Sequence, residues 1–414
     1  MSEPVVEAVR AGFARSNRVF WLDGGGSRDW SGRRSLVGVL DDDDVSLSFE
    51  AGLDQVTRHQ GGRDEVVGSD LFAVLEDEIT RDVGDPDVHW VGCFGYGSRP
   101  DLPARPWGHG PDGIWMRRRG PIIFDHGRVP EHAPERVEEH TTRAPAWYAE
   151  GFAYVQEQLH AGNSYEVNLT YREELGPATD PLDTYLRLRA SNPAPYAGLL
   201  SHLGTHLLSS SPERYATIDR RRWLETKPIK GTTRRGANER EDQRLREELA
   251  HDPRFRAENL MIVDLLRNDL SMVCDPGTVT VPSLMAVESY ANVHQLVSTV
   301  RGRLRDDVST LGTLRALFPA GSMTGAPKLR TMAIIDEVEA TPRGLYAGAF
   351  GWICADGRAD LGVVIRSLYA APDGVWNLGT GGGITVRSDV DGEWAETRWK
   401  AERLREAAVL PDSP

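Results

Sequence analysis

Residues 257–270, AENLMIVDLLRNDL, are apolar nearly all the way round a helical projection. A helix of that kind is buried on most sides, so other layers must enclose it. Asp264, Arg267 and Asp269 on the same helix need partners if they go inside, so a salt-bridge network is expected there. The surrounding sequence supplies mostly strands. Residues 18–23 form a short buried run stopped by Gly24, Gly25 and Gly26, and VSLSFE begins a second strand at Val45. HWVGCFGYG (89–97) is apolar and Gly-rich, as where backbones approach closely. YEVNLTYRE (165–173) alternates, and 205–210 and 215–218 are further strands around SSSPERY. From 345 to 387 the chain is Gly-rich and β-branched, with strands LYAGAFGWIC, LGVVIRSLYA and ITVR. Helical spacing covers 71–79, 147–160, the charged segment 238–250 and 393–408. The stretch 126–146 is charged, aperiodic and Pro-containing, which predicts a surface linker.

The 414 residues suit two or three units of roughly 150 residues each, or one large interwoven α/β body. With 48 basic and 62 acidic residues the net charge is −14, which argues against binding nucleic acid or an anionic membrane through general charge. A local positive pocket for a small anion stays open. Cys93, Cys274 and Cys354 lie far apart and fit no zinc or disulfide framework, so a reducing compartment is expected. The first twenty residues carry acids and no apolar run, and nothing approaches the ~20 apolar residues a membrane helix needs. A cytoplasmic α/β protein is the expectation.

Four constellations carry chemistry. Glu213 in SPERY sits in a polar break after an apolar strand, and Lys230 stands just before Gly231-Thr232 in KPIKGTTRRG. A Gly-Thr pair offers an amide and a hydroxyl to an anion. Lys230 reads either as a surface turn lysine or as a nucleophile, and the second role means losing a proton at a cost of about 4.6 kcal/mol at pH 7. Glu393, Glu396 and Lys400 share one helix face. They read as an exposed face with a Glu–Lys pair, or as a stripe that holds Mg²⁺ together with an organic anion. Glu258 opens the apolar helix, either complementing its dipole or serving as a further metal ligand. Arg366 interrupts a strand of buried type, so it needs either a fixed carboxylate or a carboxylate ligand, to which the glycines 381–383 can add amides. GSMTGAPK (321–328) lacks the ending of a phosphate loop, and Cys93 has no partner for nucleophilic work, so it reads as core.

In this order the strings GNSYEVNLT, SPERY, PIKGT, AENLMIVDLLRNDL, NVHQLVSTVRG, PAGSMTGAPK, LYAGAFGW, VIRS and the Glu-x-x-Glu-x-x-x-Lys at 393–400 resemble the chorismate-utilising enzymes. That family includes the first components of anthranilate and aminodeoxychorismate synthase, together with isochorismate and salicylate synthases. The resemblance implies a mixed α/β (α+β) sandwich of two antiparallel sheets with helices outside. It implies a chorismate-binding catalytic core at 145–408 and an N-terminal region, 1–130, packed into the same body. It implies chorismate as substrate and Mg²⁺ as cofactor, with Glu258 and Glu396 as direct ligands and Glu393 near them through water. Thr232, Tyr346, Arg366, Lys400 and the amide of Gly381 would anchor the substrate carboxylates, and Glu213 would be the general acid. Anthranilate synthases resemble this chain but carry alanine where Lys230 stands. PIKGT is the form of the aminodeoxychorismate group, whose lysine attacks the ring and is displaced by ammonia. Where water-using relatives have a lysine base, this chain has Glu166. The implied product is 4-amino-4-deoxychorismate, precursor of p-aminobenzoate, with ammonia from a separate glutamine amidotransferase. An anthranilate or aminodeoxyisochorismate synthase, and a non-catalytic binding protein of the same fold, remain alternatives. Two positions depart from the pattern: Phe255 replaces a residue often acidic or polar in relatives, and Gly25 stands where the tryptophan-binding segment has serine.

Overall fold

The computed structural model describes residues 3–24, 33–126, 143–290 and 293–409. The expected linker at 126–146 falls largely on residues 127–142, outside that set, as do Gly25 and Gly26. The described residues build two antiparallel sheets, of nine and twelve strands. Strands from before residue 126 enter both: Arg18–Asp23 lies inside the first sheet, and Val88–Phe94 inside the second. No helix among the described residues is long and apolar enough to cross a membrane.

Strand Arg18–Asp23 shows why these strands read as continuously apolar. Alternate side chains leave opposite faces. Phe20 joins the core between the sheets, with Trp90, Trp115 and Phe350 of the twelve-stranded sheet. Val19 and Trp21 join a second core, where helices Pro4–Phe13, Pro181–Ser191 and Val390–Ala408 cover the outer face of the nine-stranded sheet. A strand buried on both faces has no position left for a solvated residue. Cys93 lies in the first core and Trp394 in a third, smaller one.

Two helices important below start on local signals. Asp252 accepts from the amides of Arg254 and Phe255, with Pro253 in the first turn, and so opens helix Pro253–Ser271. Asp389 accepts from the Gly392 amide and opens Val390–Ala408.

Three sequence expectations need correction. Helix Pro253–Ser271 is not enclosed on most sides. One stripe, including Asn259, Ile262, Leu266 and Leu270, is buried, while Leu260 is 54 % exposed. The helix lies as a cover on strands Ile229–Arg234 and Val293–Arg303, so only one face meets the sheet. Asp264 and Arg267 pair with each other at 3.3 Å on the open side, whereas buried Asp269 accepts from Lys328 at 2.9 Å. LGVVIRSLYA is not one strand either. It divides into Ala359–Val363 and Ser367–Ala370, which belong to different sheets. The third concerns ITVR: the strand there is Val375–Ile384, which contains the glycines, and it ends at the first residue of ITVR.

One buried ionic cluster ties strand Glu166–Pro177 to the segment just after helix Lys328–Val338. Glu339 accepts from Arg343 and Arg172 at 2.7 Å each, and from the amide and hydroxyl of Thr170. Burial pushes the Glu339 carboxyl up, but Arg343 and Arg172 outweigh it and hold it below its ordinary 4.5. Removing one member of such a cluster leaves uncompensated buried charge. Glu339→Gln is expected to cost about 3–5 kcal/mol in urea unfolding. Because the folded-state value is depressed, the carboxylate's contribution is present above its ordinary value and fades as pH falls below it, so the wild-type and mutant curves should converge in acid.

Candidate active site

Two neighbouring segments cross from one sheet to the other. Strand Thr205–Ser211 of the nine-stranded sheet continues through Pro212 and Glu213 into Arg214–Ile218 of the twelve-stranded sheet. Beside it, Ala359–Val363 passes through Val364, Ile365 and Arg366 into Ser367–Ala370 in the opposite sense. The crossings are bonded together: the Val363 amide donates to the Glu213 carbonyl at 3.0 Å, and the Ser210 amide to the Arg366 carbonyl at 3.1 Å. Arg366 adopts φ 50°, a conformation that costs of order 1–3 kcal/mol for a non-glycine residue and persists only where the surroundings fix it.

At this seam lies a cleft of about 120 Å³. All ten residues singled out from the sequence line it: Glu213, Lys230, Thr232, Glu258, Tyr346, Arg366, Gly381, Glu393, Glu396 and Lys400. They arrive from separate elements. Lys230 and Thr232 come from strand Ile229–Arg234, Glu258 from helix Pro253–Ser271, and Glu393, Glu396 and Lys400 from Val390–Ala408.

Glu213 is buried and accepts from the Ser322 hydroxyl at 2.5 Å. Burial pushes its carboxyl up to about 7, against the opposing effects of Ser322, Lys230 and Lys400. A carboxyl poised there can deliver a proton at neutral pH. Lys230 donates from Nζ to Glu166 Oε1. Burial would lower the lysine's pKa, but Glu166 outweighs it and raises it, so Lys230 rests as an ammonium. The exposed reading of Lys230 does not hold, since its side chain is 10 % accessible.

Arg366 has no ion-pair partner among the described residues; its guanidinium lies over the Trp399 ring, 5.6 Å from the centroid. Burial holds its pKa below the ordinary value. Glu396 acts on it only from beyond ion-pair contact, so the guanidinium is open to receive a carboxylate. Tyr346 packs its ring where a Cβ on Gly379 would come within 2.2 Å, and burial lifts its hydroxyl to about 12.

Glu393 is 4 % exposed, so helix Val390–Ala408 turns its acidic stripe inward. Glu258 and Glu393 are each pushed up to about 7, chiefly by burial. Burial also acts on Glu396, but Lys400, 2.7 Å away, brings it below its ordinary value. Lys400 donates as well to the carbonyl of Gly381 at 2.9 Å. Arg254 stands among the three carboxylates, 3.4 Å from Glu258, 3.9 Å from Glu393 and 4.0 Å from Glu396. Oε1 of Glu258 and Oε1 of Glu393 are buried with no hydrogen-bond partner. No group of three or more His, Cys, Asp or Glu among the described residues forms a ready metal cage. A magnesium ion does not need one: it takes one or two protein carboxylates and completes its octahedron with water and substrate oxygens. Carboxylate oxygens that face Arg254 but accept no hydrogen bond, in an all-oxygen donor set, fit that ion.

Sequence reasoning missed Ser322 and Arg254 and did not see Glu166 as a partner of Lys230. Ser322 lies inside PAGSMTGAPK, and Arg254 precedes Glu258 by one helical turn, so both had a signal.

Residues 123–406 match the family model described as chorismate binding enzyme. The chain belongs to that family. Within it, the chain is 52% identical over 241 residues to an aminodeoxychorismate synthase of Streptomyces pristinaespiralis, covering 58% of this chain and 33% of that one. To aminodeoxychorismate synthase component 1 of Salmonella typhimurium it is 36% identical over 372 residues, covering 87% of this chain and 79% of the other. The chain thus spans a third of the Streptomyces relative's length and most of the Salmonella one's. The fold matches anthranilate synthase component I from Streptococcus pneumoniae at a TM-score of 0.76 and 24% identity, over 92% of this chain and 93% of that structure. Chorismate-utilising enzymes share the two-sheet architecture, as the resemblance implied.

The Ser322–Glu213 bond favours the charged carboxylate, so its loss must raise the pKa further. In ¹³C-carboxyl NMR of the purified chain, Glu213, Glu258 and Glu393 should titrate near 7, and the resonance of that group that is lost in Glu213→Gln belongs to Glu213. In Ser322→Ala the same resonance should titrate at higher pH. An unchanged midpoint contradicts the assignment.

Proposed function

We propose that this chorismate binding enzyme transfers ammonia to chorismate and forms 4-amino-4-deoxychorismate, the precursor of p-aminobenzoate. The observation that carries the reading is Lys230, a lysine whose side chain is only 10 % accessible, in the same cleft as the buried acid Glu213. The names of the two relatives above support it, and so does Arg366, which has no ion-pair partner among the described residues and suits a carboxylated substrate.

In this reading Arg366, Tyr346, Thr232, Lys400 and Gly381 hold the substrate carboxylates. Glu258 and Glu396 would hold Mg²⁺, with Glu393 beside them, and the ion when bound would supply charge stabilisation for the substrate carboxylate. Glu213 gives its proton to the departing ring hydroxyl, which leaves as water. Lys230 forms the carbon–nitrogen bond to the ring with a shift of the double bond, and ammonia then displaces the lysine amine. Covalent catalysis of this kind splits one hard substitution into two easier steps. Ammonia comes from a glutamine amidotransferase subunit docked on this chain. Three buried free thiols suit a reducing cytoplasm.

With chorismate, Mg²⁺ and ammonium salts, the purified chain should form 4-amino-4-deoxychorismate, identified by mass analysis. Chelator, Glu396→Gln, or glutamine in place of ammonium should each abolish turnover. Full turnover under any of these conditions contradicts the corresponding assignment.

Lys230→Ala should slow amino transfer by at least 100-fold while chorismate affinity stays within about tenfold, because a covalent step is lost and not an anchor. Wild-type rates with the same product would leave Lys230 a purely structural role.

A further inference from the structure

We propose that Glu166 is the base that frees Lys230 for attack, the two side chains forming one proton-exchanging unit beneath the backbone of Gly383. This rests on the nucleophilic reading of Lys230 given above. An ammonium has no lone pair, so Lys230 must shed a proton before it can bond to carbon. Its one hydrogen-bond acceptor among the described residues is Glu166 Oε1. The other carboxyls of the cleft are engaged differently. Glu213 is bonded to Ser322, Glu396 to Lys400, and Glu258 and Glu393 face Arg254.

The pair is poorly made for a stabilising role alone. Glu166 is 1 % exposed, and its second oxygen, Oε2, is buried with no partner. A buried carboxylate with one unsatisfied oxygen pays a desolvation penalty that a single ammonium does not fully return. The pair also opens on the cleft: Lys230 lines it, while Glu166 stands behind on the first residue of strand Glu166–Pro177. Gly383 supplies an independent observation. Its φ is not in the left-handed region, so the backbone does not demand glycine there. A Cβ at 383 would stand 2.1 Å from Glu166 Oε1 and 2.9 Å from Lys230 Nζ. A side chain at 383 would therefore have to displace the pair from its present geometry.

The step balances as follows. Lys230 Nζ passes one proton to Glu166, which becomes a neutral carboxylic acid. The freed lone pair forms the bond to the ring carbon, the double bond shifts, and the hydroxyl leaves as water with the proton of Glu213. When ammonia displaces the lysine, Glu166 returns its proton to the departing amine, and the new ring ammonium gives up one proton to restore Glu213. No oxidant, reductant or further reactant is needed.

Glu166→Gln keeps the shape and one acceptor oxygen but cannot take the proton. The experiment is rapid quench of the purified chain with Mg²⁺ and chorismate, ammonia withheld, read by intact mass with peptide mapping. Wild type should gain the mass of chorismate less water on Lys230; if it does not, the covalent reading fails and this proposal falls with it. Given the wild-type adduct, Glu166→Gln should form it at least 100-fold more slowly, the scale of general-base catalysis, with chorismate affinity within threefold. Infrared difference spectra should show a neutral carboxyl appearing with the adduct in wild type and not in Glu166→Gln. Gly383→Ala, which leaves every titratable group in place but wedges the pair apart, should slow adduct formation as well, and it carries the test if Glu166→Gln does not fold. Adduct formation in Glu166→Gln at or above the wild-type rate would overturn the proposal and leave Glu166 as a latch that merely keeps Lys230 charged.

Discussion

The cleft depends on the paired crossing of the chain between the sheets at Pro212–Glu213 and Val364–Arg366. Each crossing alone would leave backbone groups unpaired at a sheet edge. Side by side they satisfy one another, through Val363 to Glu213 and Ser210 to Arg366. The arrangement places an acid and a cation at a seam where neither sheet's core fills the space. It also explains the positive φ of Arg366, since the second segment must turn sharply to change sheets.

Desolvation sets the chemistry of what the seam collects. Glu213, Glu258 and Glu393 are all pushed toward neutral pH mainly by burial, and Arg366 is pushed down by it. Only Lys230 and Glu396 move the other way, because each has an opposite charge in contact. The pocket therefore holds carboxyls that can be neutral beside charges that are fixed. That division suits the proposed chemistry, in which one site gives a proton, holds a cation and binds an anion.

Much of the candidate site was legible in the sequence because its chemistry is local to short strings. PIKGT and SPERY each present a reactive group beside a backbone break, and the 393–400 stripe follows from helical spacing. The partners of those groups were not legible. Glu166 reads as an alternating strand residue, and only the folding of Glu166–Pro177 against Val375–Ile384 brings it to Lys230, 64 positions away. Arg254 carries an i, i+4 signal toward Glu258, but its reach to Glu393 and Glu396 depends on two helices meeting. Gly383 reads as one of three permissive glycines until the Lys230–Glu166 pair is seen to fill the space its Cβ would take.

The element types, the carboxylates of the 393–400 stripe and the presence of Lys230 in PIKGT are legible in the sequence. Those are properties of single residues and of short-range spacing, which periodicity preserves. Only the tertiary structure decided that LGVVIRSLYA is two strands in two sheets, that the apolar helix Pro253–Ser271 is a cover and not a core rod, and which charges touch. An apolar run records that side chains leave water and not which layer receives them, so sheet membership and long-range contacts follow from how the layers close on one another.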